Sequence, residues 1–413
     1  MKILIINHYA GSLDYGMEYR TFYLAREWVK YGHTVDIIAS DYSHLRMKNP
    51  NVSCDFQVEK INGITYYWLK TLKYKKNGIK RALTMFQFVI KIYFKAKKIA
   101  KIINPDVVIA SSTYPLDTYC ANRIAKLSGA KLVHEIHDMW PMTLIEVGGM
   151  RINHPFVRIM QYAENSFCKN SDSIVSLLPN SKDYLIEHGM GRYKFNYVPN
   201  GVVLEDWENP KELPKKHEEK LNNLLKNNKF ILGYFGGHAL SNALDVLIEV
   251  AKEIDLPDVH FVLVGEGMEK KNLQKKSEEY NLKNITFLPI LPKECIPNLL
   301  RYFTCIYIGG KKNNLYKYGV SLNKLYDSMM AGKPIIYAID SFNDDVIENE
   351  CGISINDCDN ITEIIKAIMV LHEMSEESLR KMGENAKHAV LKKYNYTVLA
   401  KEFEYILLKL IEK

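Results

Sequence analysis

The sequence predicts an α/β protein built from two consecutive doubly wound parallel-sheet domains facing a cleft. Three observations carry this. Short apolar runs of strand length alternate with segments of helical spacing, as in a parallel sheet covered on both faces. The alternation occurs twice, on either side of a polar, Lys/Glu-rich stretch from Glu205 to Asn228. In both series glycines stand where strands meet helices, and ligands of such sheets bind at the carboxyl ends of strands. A chain of 413 residues is long enough for two large cores.

In the first series, Lys2 to Asn7 reads as a buried strand, and Gly11 and Gly16 punctuate the loop after it. Met17 to Tyr31 has helical spacing (Phe22, Leu24, Ala25, Trp28, Val29) and stops at Gly32. Strands follow at Thr34 to Ala39, Ile64 to Leu69, Asp106 to Ala110, Lys131 to Ile136 and Ser173 to Leu177, and Tyr197 begins a strand end and turn, YVPNGV. The second series runs through the strand Phe230 to Phe235 with Gly236 and Gly237, and the helix Leu244 to Ile254. The strand His260 to Val264 follows with Gly265, Glu266 and Gly267, then strands at Ile285 to Leu288, Cys305 to Ile308 and Ile335 to Tyr337. Beyond Thr362 the pattern is helical to the end. The boundaries expected are 1–200, 201–395 and a final helical segment, 396–413.

The 47% hydrophobic and 25% charged fractions fit a soluble globular protein. No signal peptide or transmembrane helix is expected, since the apolar runs are only strand-length. The seven cysteines are scattered, odd in number and lack a CxxC, which favours reduced thiols over a disulfide framework or zinc site. The net charge of +7 is concentrated: Lys73, Lys75, Lys76, Lys80, Arg81, Lys91, Lys95, Lys97, Lys98 and Lys101 share a window without Asp or Glu. There Met85, Val89, Ile92, Ala96, Ile99 and Ile103 recur at helical spacing, while Phe86, Phe88, Tyr93 and Phe94 exceed what one buried stripe needs. The segment 73–104 therefore suits the anionic surface of a membrane. A core helix with a solvated lysine side is the plainer alternative; nucleic acid is set aside.

The stretch from Tyr318 to Pro334, YGVSLNKLYDSMMAGKP, reads as turn, helix and strand entry. Its turn carries Gly319 and Ser321, and its helix opens at Asn323 and Lys324. A helix start offers free N–H groups and a positive dipole end, and Lys324 adds a full charge, so phosphate suits it. Asp327, one turn on, can accept hydrogen bonds from hydroxyls. Together these describe a nucleotide-sugar pocket; an ordinary strand–loop–helix with surface polar residues is the alternative.

The order FGG, LVGEG and GVSLNKLYDSMMAGKPII resembles the family 4 glycosyltransferases of the GT-B fold, as do HYAGSLDYGMEYRTFYLAREWVKYGHTVDIIAS, HEIHDMWP and VPNGV. It points to a branch that builds bacterial O-antigen, capsule and exopolysaccharide. The resemblance implies retaining transfer of a sugar from a nucleotide diphosphate sugar, best guessed as UDP-linked, with no metal and no cofactor. It implies a first domain for the acceptor, expected to be a glycan on a polyprenyl diphosphate carrier, and a second for the donor. A cytoplasmic protein, peripheral at the inner face of the cell membrane, is expected.

The same resemblance assigns residues. Asp327 takes the family's ribose-binding carboxylate position, but the partner carboxylate, eight positions earlier, falls on Gly319. The family's Arg and Lys for the diphosphate fall on Gly237 and Asn242. Lys324 is expected to replace them, with Arg20 as a second candidate. His137 takes the position that touches the donor sugar, with Asp138 beside it. His134 reads as a packing histidine. Gly236, Gly237, Gly265, Glu266, Ser321 and Asn323 are donor-site candidates, Leu291 lies in the loop whose backbone reads the base, and His238 is weaker. Gly16 and Arg20 could meet phosphate, with Glu18 binding acceptor hydroxyls; helix capping is the alternative for this loop. Asp357-Cys-Asp359 spells a metal–nucleotide signature of another fold, but Asp359 reads as a helix N-cap. His8 reads as a loop histidine. Rival readings are a GT-B sugar-nucleotide epimerase and a non-catalytic nucleotide-binding membrane scaffold; a dinucleotide oxidoreductase lacks its GxGxxG.

Overall fold

The computed structural model describes residues 1–74 and 78–412. Lys75 and Lys76 of the basic stretch, and the final Lys413, lie outside the described residues. The chain forms two compact units, one of Met1–Asn200 with the chain from Tyr396 onward, the other of Gly201–Asn395.

In the first unit an eight-stranded sheet runs in the order β3-β4-β2-β1-β5-β6-β7-β8. Its strands are β1 (Lys2–Ile6), β2 (Thr34–Ser40), β3 (Gln57–Ile61), β4 (Ile64–Leu69), β5 (Val107–Ala110), β6 (Lys131–Ile136), β7 (Ser173–Ser176) and β8 (Phe195–Tyr197). The central strand β1 pairs in parallel with both neighbours, so Ile3 faces Val35 on one side and Val107 on the other. All pairings are parallel except β3 with β4. The hairpin joining those two turns on Asn62 and Gly63, both at positive φ. Asn-Gly is the two-residue turn whose twist matches a hairpin. The sequence reading missed β3, an edge strand whose polar QVEKI pattern never buries a continuous face.

Helix α1 (Arg20–Lys30) starts three residues later than its apolar spacing suggests. Glu18 spends its backbone elsewhere: its carbonyl accepts from Gly11 N at 2.8 Å and its N–H reaches Tyr9 O at 3.4 Å. The C-terminal helix Tyr396–Ile411 packs against α1. There the Trp28 indole donates to Ala400 O at 2.9 Å and meets the Phe403 ring edge-on.

Helix α2 (Ile79–Ile103) buries Met85, Val89, Ile92, Ala96, Ile99 and Ile103, as the spacing predicts. Its aromatic excess is smaller than the sequence suggests: Phe88 is fully buried and Phe86 packs on the same core. Leu83, Ile90 and Phe94 remain outward, Phe94 76% exposed. No helix among the described residues is long and apolar enough to cross a membrane.

The second unit holds a six-stranded, all-parallel sheet in the order β11-β10-β9-β12-β13-β14. Its strands are β9 (Phe230–Phe235), β10 (Val259–Val264), β11 (Ile285–Leu288), β12 (Cys305–Gly309), β13 (Ile335–Ala338) and β14 (Gly352–Ser354). The strand order reverses between β9 and β12, which places the binding crevice beyond their carboxyl ends. The short β14 was also missed; Gly352 is needed there because an added Cβ would lie 1.9 Å from Ile335 O.

Candidate active site

In the second unit the chain leaves β9 through Gly236 and Gly237. Lys324, in the first turn of the helix Asn323–Met330, sends its ammonium back to this turn. Its Nζ donates to the Tyr234 hydroxyl at 2.9 Å and to Asn242 Oδ1 at 3.0 Å, and stands 4.5 Å from the Tyr234 ring centre. Tyr234 and Asn242 both donate in turn to Gly237 O, at 2.7 and 2.9 Å. These bonds close a ring that fixes the turn around the cation. The ammonium has three donors, two of them spent on neutral oxygens, and makes no ion pair with a carboxylate of the described residues. Burial pulls its pKa down to about 8. A half-buried cation without a carboxylate partner suits an anionic ligand.

The helix behind it starts from Leu322, whose side chain caps nothing, so the first N–H groups stay open towards the same end. Asn323 is exposed there. Ser321 Oγ lies 3.4 Å from the Tyr326 hydroxyl. Gly319 has φ of +97°, a conformation that disfavours any side chain and gives a physical reason for the missing carboxylate. At Gly237 an added Cβ would meet nothing within 4 Å, so the turn is open outward. Asp327 is half-buried and its carboxylate accepts no hydrogen bond within the described residues; burial raises its pKa, with Lys293 opposing.

Three donor-site candidates of this unit are engaged within the protein. Gly265 serves packing: an added Cβ would strike Gly236 O at 1.8 Å, and the two glycine turns lie directly against each other. The Glu266 carboxylate points outward and pairs with Lys270 at 2.7 Å. The Leu291 side chain belongs to the core, and in its loop the carbonyl of Pro289 is already bonded to His217. His238, ranked lower by sequence, is fully buried with both ring nitrogens unpartnered, and burial lowers its pKa to about 4. Its N–H and carbonyl bond to Glu266 O and Glu269 N, which fastens the first glycine turn to the second. Asp359 pairs with Lys311 while Asn360 caps the next helix, so the cap lies one residue later than read.

In the first unit the carboxyl ends of β1, β5 and β6 converge on His137. Its Nδ1 lies 3.0 Å from Glu18 Oε1, and its Nε2 lies 3.2 Å from Glu135 Oε2 and 3.0 Å from Ser111 Oγ. Burial would lower the imidazole pKa, but Glu18 and Glu135 push it up to about 10, so the ring is an imidazolium at neutral pH. Glu135, also buried, would be raised by desolvation; Arg20 and His137 outweigh that and hold it well below the usual carboxylate range. Glu18 Oε2 is buried and has no partner.

Here too the structure corrects the sequence. Arg20 is not free for phosphate: its guanidinium bonds Glu135 at 2.9 Å, Val198 O at 2.9 Å, Asn200 Oδ1 at 3.3 Å and Pro199 O. Gly16 uses its N–H and carbonyl on Ser12, which leaves neither for a ligand. Asp138 caps its own loop by accepting from Met139 N at 2.9 Å and Thr143 Oγ1 at 2.7 Å, a structural post rather than a catalytic one. His137 has both nitrogens occupied, so it holds Glu18 rather than a substrate atom. His134 stacks on Phe167 at 3.8 Å, a packing histidine as read. His8 is buried against Tyr114 instead of lying open in a loop. Sequence reasoning missed Glu135 and Tyr234; the signal for Glu135 was a carboxylate inside the otherwise apolar strand β6.

Two family models match the chain in succession: Glycosyltransferase Family 4 over residues 15–206 and Glycosyl transferases group 1 over residues 215–389. The chain belongs to glycosyltransferase family 4. This glycosyltransferase is 25% identical, over 69% of its length and 71% of the relative's, to WcaI of Escherichia coli (strain K12), a protein assigned to colanic acid biosynthesis as a glycosyl transferase. Its fold matches the sucrose-phosphate synthase of Thermosynechococcus elongatus with a TM-score of 0.73 at 16% identity, over 99% of both chains. It matches Anabaena Alr3699/HepE, solved with UDP and glucose, with a TM-score of 0.65 at 14% identity over 99% of this chain and 100% of that one. The fold class is GT-B, two parallel-sheet α/β domains, and the protein is a glycosyltransferase enzyme.

Proposed function

We propose that the enzyme transfers a sugar, with retention, from a nucleotide diphosphate sugar to a hydroxyl of a lipid-linked glycan in surface polysaccharide synthesis. The observation that carries the donor side is the uncountered Lys324 ammonium at the carboxyl end of β9, beside an uncapped helix start. In the transfer, the bond from the anomeric carbon to the diphosphate oxygen breaks and a bond to the acceptor oxygen forms. The negative charge collects on the diphosphate, where a fixed cation counts most, and the acceptor proton leaves with the departing phosphate. Asp327 is assigned to the ribose hydroxyls and Glu18 to the acceptor. UDP is the first nucleoside diphosphate to try, given the UDP-bound neighbour, and WcaI supports a polysaccharide pathway.

A thermal-shift panel of nucleoside diphosphates and sugar nucleotides tests the donor side. UDP or a UDP-sugar should stabilise the wild type and lose that effect in Lys324→Ala; no shift with any of them would sink the reading.

The exposed Leu83, Ile90 and Phe94 of α2 lie along one helical stripe flanked by exposed Lys95, Lys97, Lys98 and Lys101, which supports docking on an anionic bilayer. Lys91 is less suited, since it pairs with Asp55. Flotation with phosphatidylglycerol vesicles should carry the wild type and leave a Phe94→Ser/Lys97→Gln/Lys98→Gln variant behind. Equal flotation of both would remove α2 from the membrane contact.

A further inference from the structure

The buried side chains of the first unit form a chain of alternating charge: Arg20 to Glu135, Glu135 to His137, His137 to Glu18. One end is anchored, because Arg20 is tied to the backbone of residues 198 and 199. The other end is unpaired, because Glu18 Oε2 is buried without a partner. We propose that Glu135 is a positioning residue: it keeps His137 charged, and the imidazolium holds Glu18 Oε1 so that Oε2 is presented to the acceptor hydroxyl. The role rests on the acceptor reading of Glu18 given above.

The geometry requires a charged ring. A neutral imidazole has one N–H and would leave either Glu18 or Glu135 facing a bare nitrogen lone pair. Ser111 cannot substitute, since its hydroxyl is 2.6 Å from Glu135 Oε2 and is spent there as donor. Other titratable groups around the ring act less directly. Burial and the charge of His137 hold His134 neutral, with its pKa at about 3. Asp117, from helix α3 (Asp117–Ser128), is raised by burial to about 7 and feels the His137 charge at a distance. Asp138 is committed to its cap. Neither nitrogen of His137 is available as a base, so its function is to orient.

The test is nitrogen NMR of the His137 ring across pH in the full chain. The wild type should stay doubly protonated at pH 8. In Glu135→Gln the titration midpoint should fall by about two pH units, as expected on losing an adjacent opposite charge. Ser111→Ala, which leaves the Arg20–Glu135 pair intact, should lower it by a smaller step and covers the case in which Glu135→Gln does not fold. A neutral His137 in the wild type at pH 8, or a midpoint unmoved in both variants, would overturn the proposal. Octyl glucoside serves as a hydroxyl probe on the same samples. It should shift the His137 signals in the wild type and not in Glu18→Gln. No shift in the wild type would overturn the acceptor reading, and the positioning role with it, while the ring's charge state is read independently.

Discussion

At the scale of single residues, Lys324 decides most. Its ammonium is partly buried and bonded only to neutral oxygens, so the free protein holds it at a depressed pKa of about 8. An anionic ligand restores the proton. Nucleoside diphosphate affinity should therefore fall as pH rises through 8, with proton uptake on binding in that range. Calorimetric titration in two buffers of different ionisation enthalpy reads this directly, and a pH-independent affinity would contradict it. Lys324→Ala should bind weakly at every pH. Because Gly237 is open outward, Gly237→Arg in the Lys324→Ala background places a guanidinium on the family's usual diphosphate position and should recover part of the lost affinity. His137 gives a second pH prediction, from a pKa shifted the other way. Its folded pKa, about 10, lies above the ordinary 6.5. The stability it contributes is complete below 6.5 and is lost as pH rises through 10. The melting temperature of the wild type should fall between pH 7 and pH 10 more steeply than that of His137→Gln. Of these residues, Lys324 was legible because a helix start, a lysine and a preceding glycine turn lie in one short segment. Arg20 was misread because its partners, Glu135 and residues 198–200, are remote in sequence and only the folded strands bring them to it.

At the scale of elements, contacts between turns matter more than the turns themselves. The glycine turns after β9 and β10 pack backbone to backbone, so Gly265→Ala forces either a clash with Gly236 O or displacement of the Lys324-bearing ring. It should cost about 1–3 kcal/mol of stability, in the range of other backbone strain. It should also weaken diphosphate binding through that displacement. Normal binding in that variant would show that the two turns are not coupled. In the first unit, Arg20 fastens the start of α1 to β6 and to the chain beyond β8. Removing one partner of a buried pair costs about 3–5 kcal/mol, so Arg20→Ala should lower the denaturation midpoint of the first unit markedly. Buried strands and amphipathic helices were legible from periodicity, because burial on both faces or along one stripe writes itself into composition. The edge strands β3 and β14 were not, because a short strand with one partner carries too little apolar surface to mark itself.

At the scale of the whole chain, the C-terminal helix belongs to the unit built by the first 200 residues. It covers Tyr23 and Trp28 on α1, with Tyr396 4.9 Å from Tyr23 and Phe403 5.3 Å from Trp28. A chain ending at Asn395 should expose these rings and unfold its first unit at lower temperature, while the second unit keeps its core and its nucleoside diphosphate binding. Two-transition calorimetry with and without UDP checks this, and a first unit of unchanged stability would contradict it.

What the sequence determined by itself is the alternation of elements and their division into two series. Both follow from local hydrophobic periodicity and from glycines at strand ends. What the tertiary structure alone decided is which charges are free. Arg20 and Glu18 lie on one segment and Glu135 and His137 on another far away in sequence, and Lys324 lies remote from Tyr234 and Asn242. Whether a cation is neutralised depends on what lies within a few ångströms of it in a medium of low dielectric. Sequence spacing does not encode that distance; the crossing of the sheet at β1/β5 and at β9/β12 does.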